Sequence, residues 1–86
     1  MGNAPRRRAI SPEIAFGRVL RNIRKDSKIS QDDLGAKSGY HRTYIGQLER
    51  GEKSPSLNAL FNLSQTLNQL PSQFLPLVEK HLGLSK

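Results

Sequence analysis

Arg42, Thr43, Gln47 and Arg50 are the residues of this chain whose types and spacing point to a definite chemistry. A guanidinium can donate two hydrogen bonds to guanine O6 and N7. A glutamine amide can pair with adenine N6 and N7, and a threonine methyl can touch thymine. Wound into a helix at about 100° per residue, Arg42, Thr43, Gly46, Gln47 and Arg50 share one arc of about 140°. His41, Tyr44, Ile45 and Leu48 take the other side. A short helix of this kind, apolar behind and polar or basic in front, has the form of an element that reads base edges in a major groove about 12 Å wide. Gly46 on the outer arc costs that helix about 1 kcal/mol relative to Ala. Either its bare backbone lets base edges approach, or it is a tolerated surface glycine.

The flanking residues are those needed to position such a helix. Ser30 is suited to cap a preceding helix whose first turn carries Asp32 and Asp33, acids favoured by the helix dipole. Leu34 anchors that helix, and Gly39 suits the left-handed residue that turns the chain sharply after about Ser38. The reading helix then spans about Arg42 to Arg50 and stops at Gly51. Upstream, Ser11-Pro12-Glu13 is a helix start, and Phe16, Val19, Leu20 and Ile23 form the inner stripe of a helix running to about Asp26. Arg18, Arg21 and Lys25 lie outside it. Downstream, Ser54 or Ser56 caps a fourth helix with an apolar pattern at Leu57, Leu60, Phe61, Ser64 and Leu67. Leu70-Pro71-Ser72 begins a last helical segment that Pro76 is expected to break or kink. No stretch alternates with period two, so the expectation is all-α: a compact bundle of about five helices and no sheet.

Composition narrows the function. The chain has 86 residues, enough for one small domain, and no cysteine, which excludes disulfides and thiolate metal sites. Its two histidines, His41 and His81, are too few for an ordinary zinc site, so no metal or other cofactor is expected. No apolar run approaches the roughly 20 residues of a membrane span. Arg6-Arg7-Arg8 is followed by no apolar core and does not read as a secretory signal. The net charge is +7 and lopsided: residues 1–53 hold twelve Lys and Arg against six acids, and residues 54–86 two against one. A basic half suits a polyanion while a leucine-rich half builds core or meets a protein; the plain alternative is a solvated basic surface. No nucleophile, base and orienting group occur together, so an enzyme is not expected.

The stretch from Phe16 to about Leu67 resembles the phage-repressor-like helix-turn-helix family, also called the XRE family. The residues that carry the resemblance are Arg24, Ser30-Gln31, Leu34, Gly39, Ile45, Leu48-Glu49-Arg50-Gly51, Pro55-Ser56-Leu57 and Leu60. The resemblance implies a lambda-repressor-like bundle with its helix-turn-helix at 31–50. It assigns base reading to Arg42, Thr43 and Gln47 with His41 beside them, and phosphate contacts to Gln31, Tyr44, Arg50, Lys53 and Ser56. Tyr44 has a second reading as half-buried packing. Arg24 and Glu49 match an internal ion pair tying the first helix to the third. Two positions depart from the family pattern. Gly35 replaces a usual Ala, either being small enough for close packing. His41 replaces a capping Ser or Thr, and either caps or contacts DNA.

The implied organisation is a flexible basic arm at 1–10, the DNA-binding domain at 11–75 and a C-terminal helical tail at 76–86. The arm, with Arg6, Arg7 and Arg8, either lies in a groove or is a soluble tail. Leu70, Phe74, Leu77, Val78 and Leu82 are more apolar groups than a last helix in so small a domain should need. They are expected to form a homodimer interface, against the alternative of packing within one monomer. The partners implied are an operator in double-stranded DNA, a second copy of the chain and RNA polymerase, with no membrane and no small-molecule ligand. The reading is a sequence-specific transcriptional regulator on a palindromic operator, cytoplasmic, in a small form also taken by restriction–modification controllers. The alternative is a protein-interaction adaptor or antitoxin using the same bundle, which an acidic or apolar outer face on the third helix would have favoured.

Overall fold

The structure, a computed structural model, describes residues 10–84. Among them are five helices and no strand: α1 (Pro12–Asp26), α2 (Gln31–Ser38), α3 (Arg42–Glu49), α4 (Leu57–Thr66) and α5 (Pro71–His81). The starts follow from local chemistry. Ser11, Ser30 and Ser56 each turn a side-chain oxygen onto a backbone N–H three residues on, at 3.1, 3.0 and 3.0 Å. These bonds satisfy donors that the first turn of a helix leaves without partners. Gly39 ends α2 with φ at 88°, and its N–H and that of Tyr40 both reach the Gly35 carbonyl at 2.8 Å. At α5 the Gln73 side-chain oxygen accepts from the Leu70 N–H at 2.7 Å.

The core draws on every helix. Phe16, Val19 and Leu20 from α1, Leu34 from α2, Ile45 and Leu48 from α3, Leu63 from α4 and Phe74 from α5 are buried together. The Phe16 and Phe74 rings lie 5.1 Å apart and tilted by 35°, which pins α5 to α1. α1 and α3 approach each other closely. A Cβ on Gly17 would strike the Leu48 carbonyl oxygen and come within 2.7 Å of that of Glu49. Glycine at that point lets the backbone of α1 rest directly on the end of the third helix.

Three expectations about the leucine-rich half are corrected. Leu57 is 71% exposed and Phe61 44%, so neither is core. The buried face of α4 is Ala59, Leu63 and Leu67, with Ser64 beside it, rotated by about 70° from the stripe that the apolar pattern suggests. Small Ala59 lets α4 face its neighbours α2 and α5, and buried Ser64 is satisfied by giving its hydroxyl hydrogen to the Leu60 carbonyl at 2.6 Å. Pro76 does not end the last helix; α5 runs through it. Pro76 and Ser72, whose carbonyl is left without its helical donor, are both exposed, so water can serve the orphaned group. The limit drawn at 75/76 thus falls inside one helix. Finally, Phe74 and Val78 are buried in the monomer and cannot serve as a partner's contact surface. Leu70 and Leu77 are exposed and Leu82 is half-buried. Arg6, Arg7 and Arg8 lie outside the described residues.

Candidate nucleic-acid interface

α3 is eight residues long, about two turns, too short to hold its shape alone. It is held from behind by Ile45 and Leu48 in the core and from one end by ions. The Arg24 guanidinium donates from Nε to Glu49 Oε2 at 2.6 Å and from Nη2 to Oε1 at 3.0 Å. Arg24 Nη1 also donates to the Ile29 carbonyl at 2.9 Å, so one side chain joins α1, the α1–α2 loop and α3. The bond to Glu49 raises the Arg24 pKa above its ordinary value, against the lowering that burial exerts. The expected pair is therefore present, and a third member joins it: Gln31 Nε2 donates to Glu49 Oε1 at 2.9 Å. Gln31 stands at the start of α2, and sharing this carboxylate ties the first residue of α2 to the last of α3.

The turn between the two helices is tighter than the sequence suggests. A Cβ on Gly35 would collide with the Tyr40 carbonyl oxygen and stand 3.3 Å from the Arg42 N–H nitrogen. Alanine, acceptable there on size alone, does not fit without moving the start of α3. His41 is the N-cap of α3, its Nδ1 accepting from the Thr43 N–H at 3.0 Å.

The structure brings most of the expected reading residues onto one surface. His41, Arg42 and Thr43 are exposed on the first turn of α3, and Gln47 is half-buried one turn on. Arg42 stands 3.7 Å from Asp32, both groups about two-thirds exposed, a pairing too solvated to hold the arginine in place. Gly46 behaves as neither reading supposed. It is buried, and the space a Cβ would take is bounded by Arg50 Nη1 at 3.0 Å and Gln31 Oε1 at 3.7 Å. The missing side chain makes room for Arg50 to lie back along the helix. There Arg50 binds Glu52, Nε to Oε2 at 2.7 Å. That bond raises the Arg50 pKa and lowers that of Glu52.

Phosphate-competent groups surround this face. Tyr44 is half-buried and packs on Tyr40 at 5.0 Å between ring centroids. Burial raises its pKa, the neighbouring Tyr40 adds to this, and the nearby Ser56 backbone opposes it. Tyr44 therefore meets the start of α4, where Ser56 and the preceding Lys53 are exposed. The Gln31–Glu49 bond, the Gly35 contact and the Arg50–Glu52 pair are not among the sequence-based expectations; for the last two, a glycine inside each of α2 and α3 is the available signal.

The HTH_3 helix-turn-helix model matches residues 20–75, from α1 into α5. The chain belongs to the HTH_3 helix-turn-helix family. As a member it is a DNA-binding protein of the transcription-regulating kind. Among curated relatives, the control protein C.SmaI of Serratia marcescens is 43% identical over 49 residues, 57% of this chain and 58% of that protein. The alignment thus spans little more than half of that relative. The control protein C.BamHI of Bacillus amyloliquefaciens is 36% identical over 63 residues, 72% of this chain and 78% of that one. The restriction-modification controller C.AhdI from Aeromonas hydrophila has a similar structure: TM-score 0.70, 34% identity, 72% of this chain and 94% of that one. The controller C.Esp1396I, solved as a tetramer with its natural 35 base-pair operator, gives TM-score 0.77 and 25% identity over 85% of this chain and 96% of that one. These HTH_3 structures share the all-α bundle described above.

Proposed function

We propose that this HTH_3 chain is a sequence-specific regulator of the controller type that binds a palindromic operator as a homodimer. The observation that carries this reading is the exposed His41–Arg42–Thr43 turn, rigidly backed by the Arg24–Glu49–Gln31 network and flanked by Tyr44 and the α4 start. In this reading Arg42, Thr43 and Gln47 contact base edges, with His41 beside them. Gln31, Tyr44, Lys53 and Ser56 fix the register on phosphates, joined by Arg50 once it leaves Glu52. The chain acts by occupying its operator, where it blocks RNA polymerase or recruits it. The second copy docks on apolar side chains that the monomer leaves exposed on α4 and α5, Phe61, Leu70 and Leu77 among them.

Selection of sites from a random DNA pool, followed by binding to the recovered site, tests the proposal. The selected site should be two-fold symmetric, with half-sites about 34 Å apart. Arg42→Ala or Gln47→Ala should cost about 1–3 kcal/mol on it and relax discrimination at one base pair. An unaltered preference in Arg42→Ala would remove α3 from the reading role. A chain that sediments as a monomer at tens of micromolar would remove the dimer.

A further inference from the structure

The outer face of α1 is the unexplained part of this surface. Arg18, Arg21 and Lys25 are all exposed along it, at spacings of three and four residues. Cations so spaced on one helix repel each other and destabilise it. Among the described residues the ion pairs are Arg24–Glu49, Arg42–Asp32 and Arg50–Glu52, none of which relieves that repulsion. The three cations line an open groove together with Arg50, at the end of α3, and His81, at the end of α5. The acid in the groove, Glu49, is already engaged by Arg24 and Gln31. Arg18, Arg21 and Lys25 thus have no acidic partner among the described residues, and a cationic stripe of this kind calls for an anion from outside.

We propose that this groove is a second contact for the duplex, holding phosphates of one strand beyond the base pairs that α3 reads. The proposal rests on the operator-binding reading above. Arg50 decides the class of partner, because it belongs both to the outer arc of α3 and to the groove. A duplex seated on α3 already brings its backbone to Arg50, whereas an acidic protein in the groove would compete with that strand. The dimensions agree. From Arg18 to Lys25 the helix rises about 10 Å at 1.5 Å per residue. That length of duplex axis carries about three phosphates on one strand, one for each cation.

The test uses the full chain and the site recovered from the random pool, in two duplexes. One ends at the edge of the site and the other extends it by about one helical turn, roughly 10 base pairs, on each side. The wild-type chain binds the longer duplex several-fold tighter, with a steeper salt dependence. The triple variant Arg18→Ala, Arg21→Ala, Lys25→Ala binds both duplexes alike, with its slope on the longer one flattened by roughly two to three units and its base preference unchanged. Arg18→Lys with Arg21→Lys keeps the gain from the flanks, since a point charge suffices for a phosphate. Alanine is the best helix former and the repulsion is gone, so the triple variant should melt no lower than wild type. A triple variant that keeps the gain and the slope overturns the proposal, even if it has lost binding to an acidic protein. So does a wild-type chain that reads its site without any flank effect, which leaves the operator reading intact. A chain that binds neither duplex overturns both.

Discussion

α2–α3 and α4–α5 are built from similar lengths of chain, yet side chains are held in place differently in the two. In α2–α3 position is set by directional contacts: a serine cap, a histidine cap, a left-handed glycine and a carboxylate shared by Arg24 and Gln31. In α4–α5, beyond the Ser56 cap and the Gln73 bond that start the helices, it is set by shape, with Ala59, Leu63, Phe74 and Val78 inside and Leu57, Phe61, Leu70 and Leu77 left out. Directional groups advertise their partners through residue type and spacing. Leucines do not, because the same side chain serves a core and an interface.

Substitutions can break or sharpen this contrast. The largest effect should come from shape. Phe74→Ala should cost about 3–5 kcal/mol in denaturant unfolding by opening a cavity against Phe16, while exposed Leu77→Ala should cost the isolated monomer under about 1 kcal/mol. Equal losses would mean that the two leucine-rich faces are not distinct. Close behind, Glu49→Ala should cost about 3–5 kcal/mol, since it leaves Arg24 buried without its partner, and operator binding should fall with it. Gly35→Ala should lose about 1–3 kcal/mol of stability through the clash with the Tyr40 carbonyl, and should weaken binding further by displacing the start of α3. If the variant is instead stabilised, as an ordinary helical Gly→Ala change would be, the tight turn is wrong.

The smallest effect should be the pH dependence of the Arg50–Glu52 pair. Glu52 is lowered below its usual value by the bond from Arg50. Its contribution is therefore present above the unfolded carboxylate value and is lost as pH falls through the lower folded one. Thermal melts of wild type and Glu52→Gln should differ slightly at neutral pH and converge in acid. A gap that widens in acid would reverse the assignment. The same substitution frees Arg50 and should tighten non-specific DNA binding at low salt.

The legible part of the molecule follows the same division. Ser11, Ser30 and Ser56, Gly39 and the Arg24–Glu49 spacing could be read because each names a local bond or a charge partner. The rotation of α4, the burial of Phe74 and Val78, and the passage of α5 through Pro76 could not. They depend on how closely helices approach, which no periodicity encodes. Gly35 and Gly46 are intermediate. Each stands out as a weak helix former, but only the neighbouring Tyr40 carbonyl and the Arg50 guanidinium show what the missing methyl makes room for.

The cap on α3 has a consequence for recognition. An imidazole nitrogen that accepts the Thr43 N–H carries no proton of its own, so in the neutral ring the hydrogen sits on Nε2. His41 therefore presents a single donor to the outside, beside the exposed first turn of α3. It can address a phosphate oxygen or the acceptor edge of a purine, and it is blind to the amino group of cytosine or adenine. The bond that starts the helix has also chosen the tautomer, and with it the kind of atom the histidine can read.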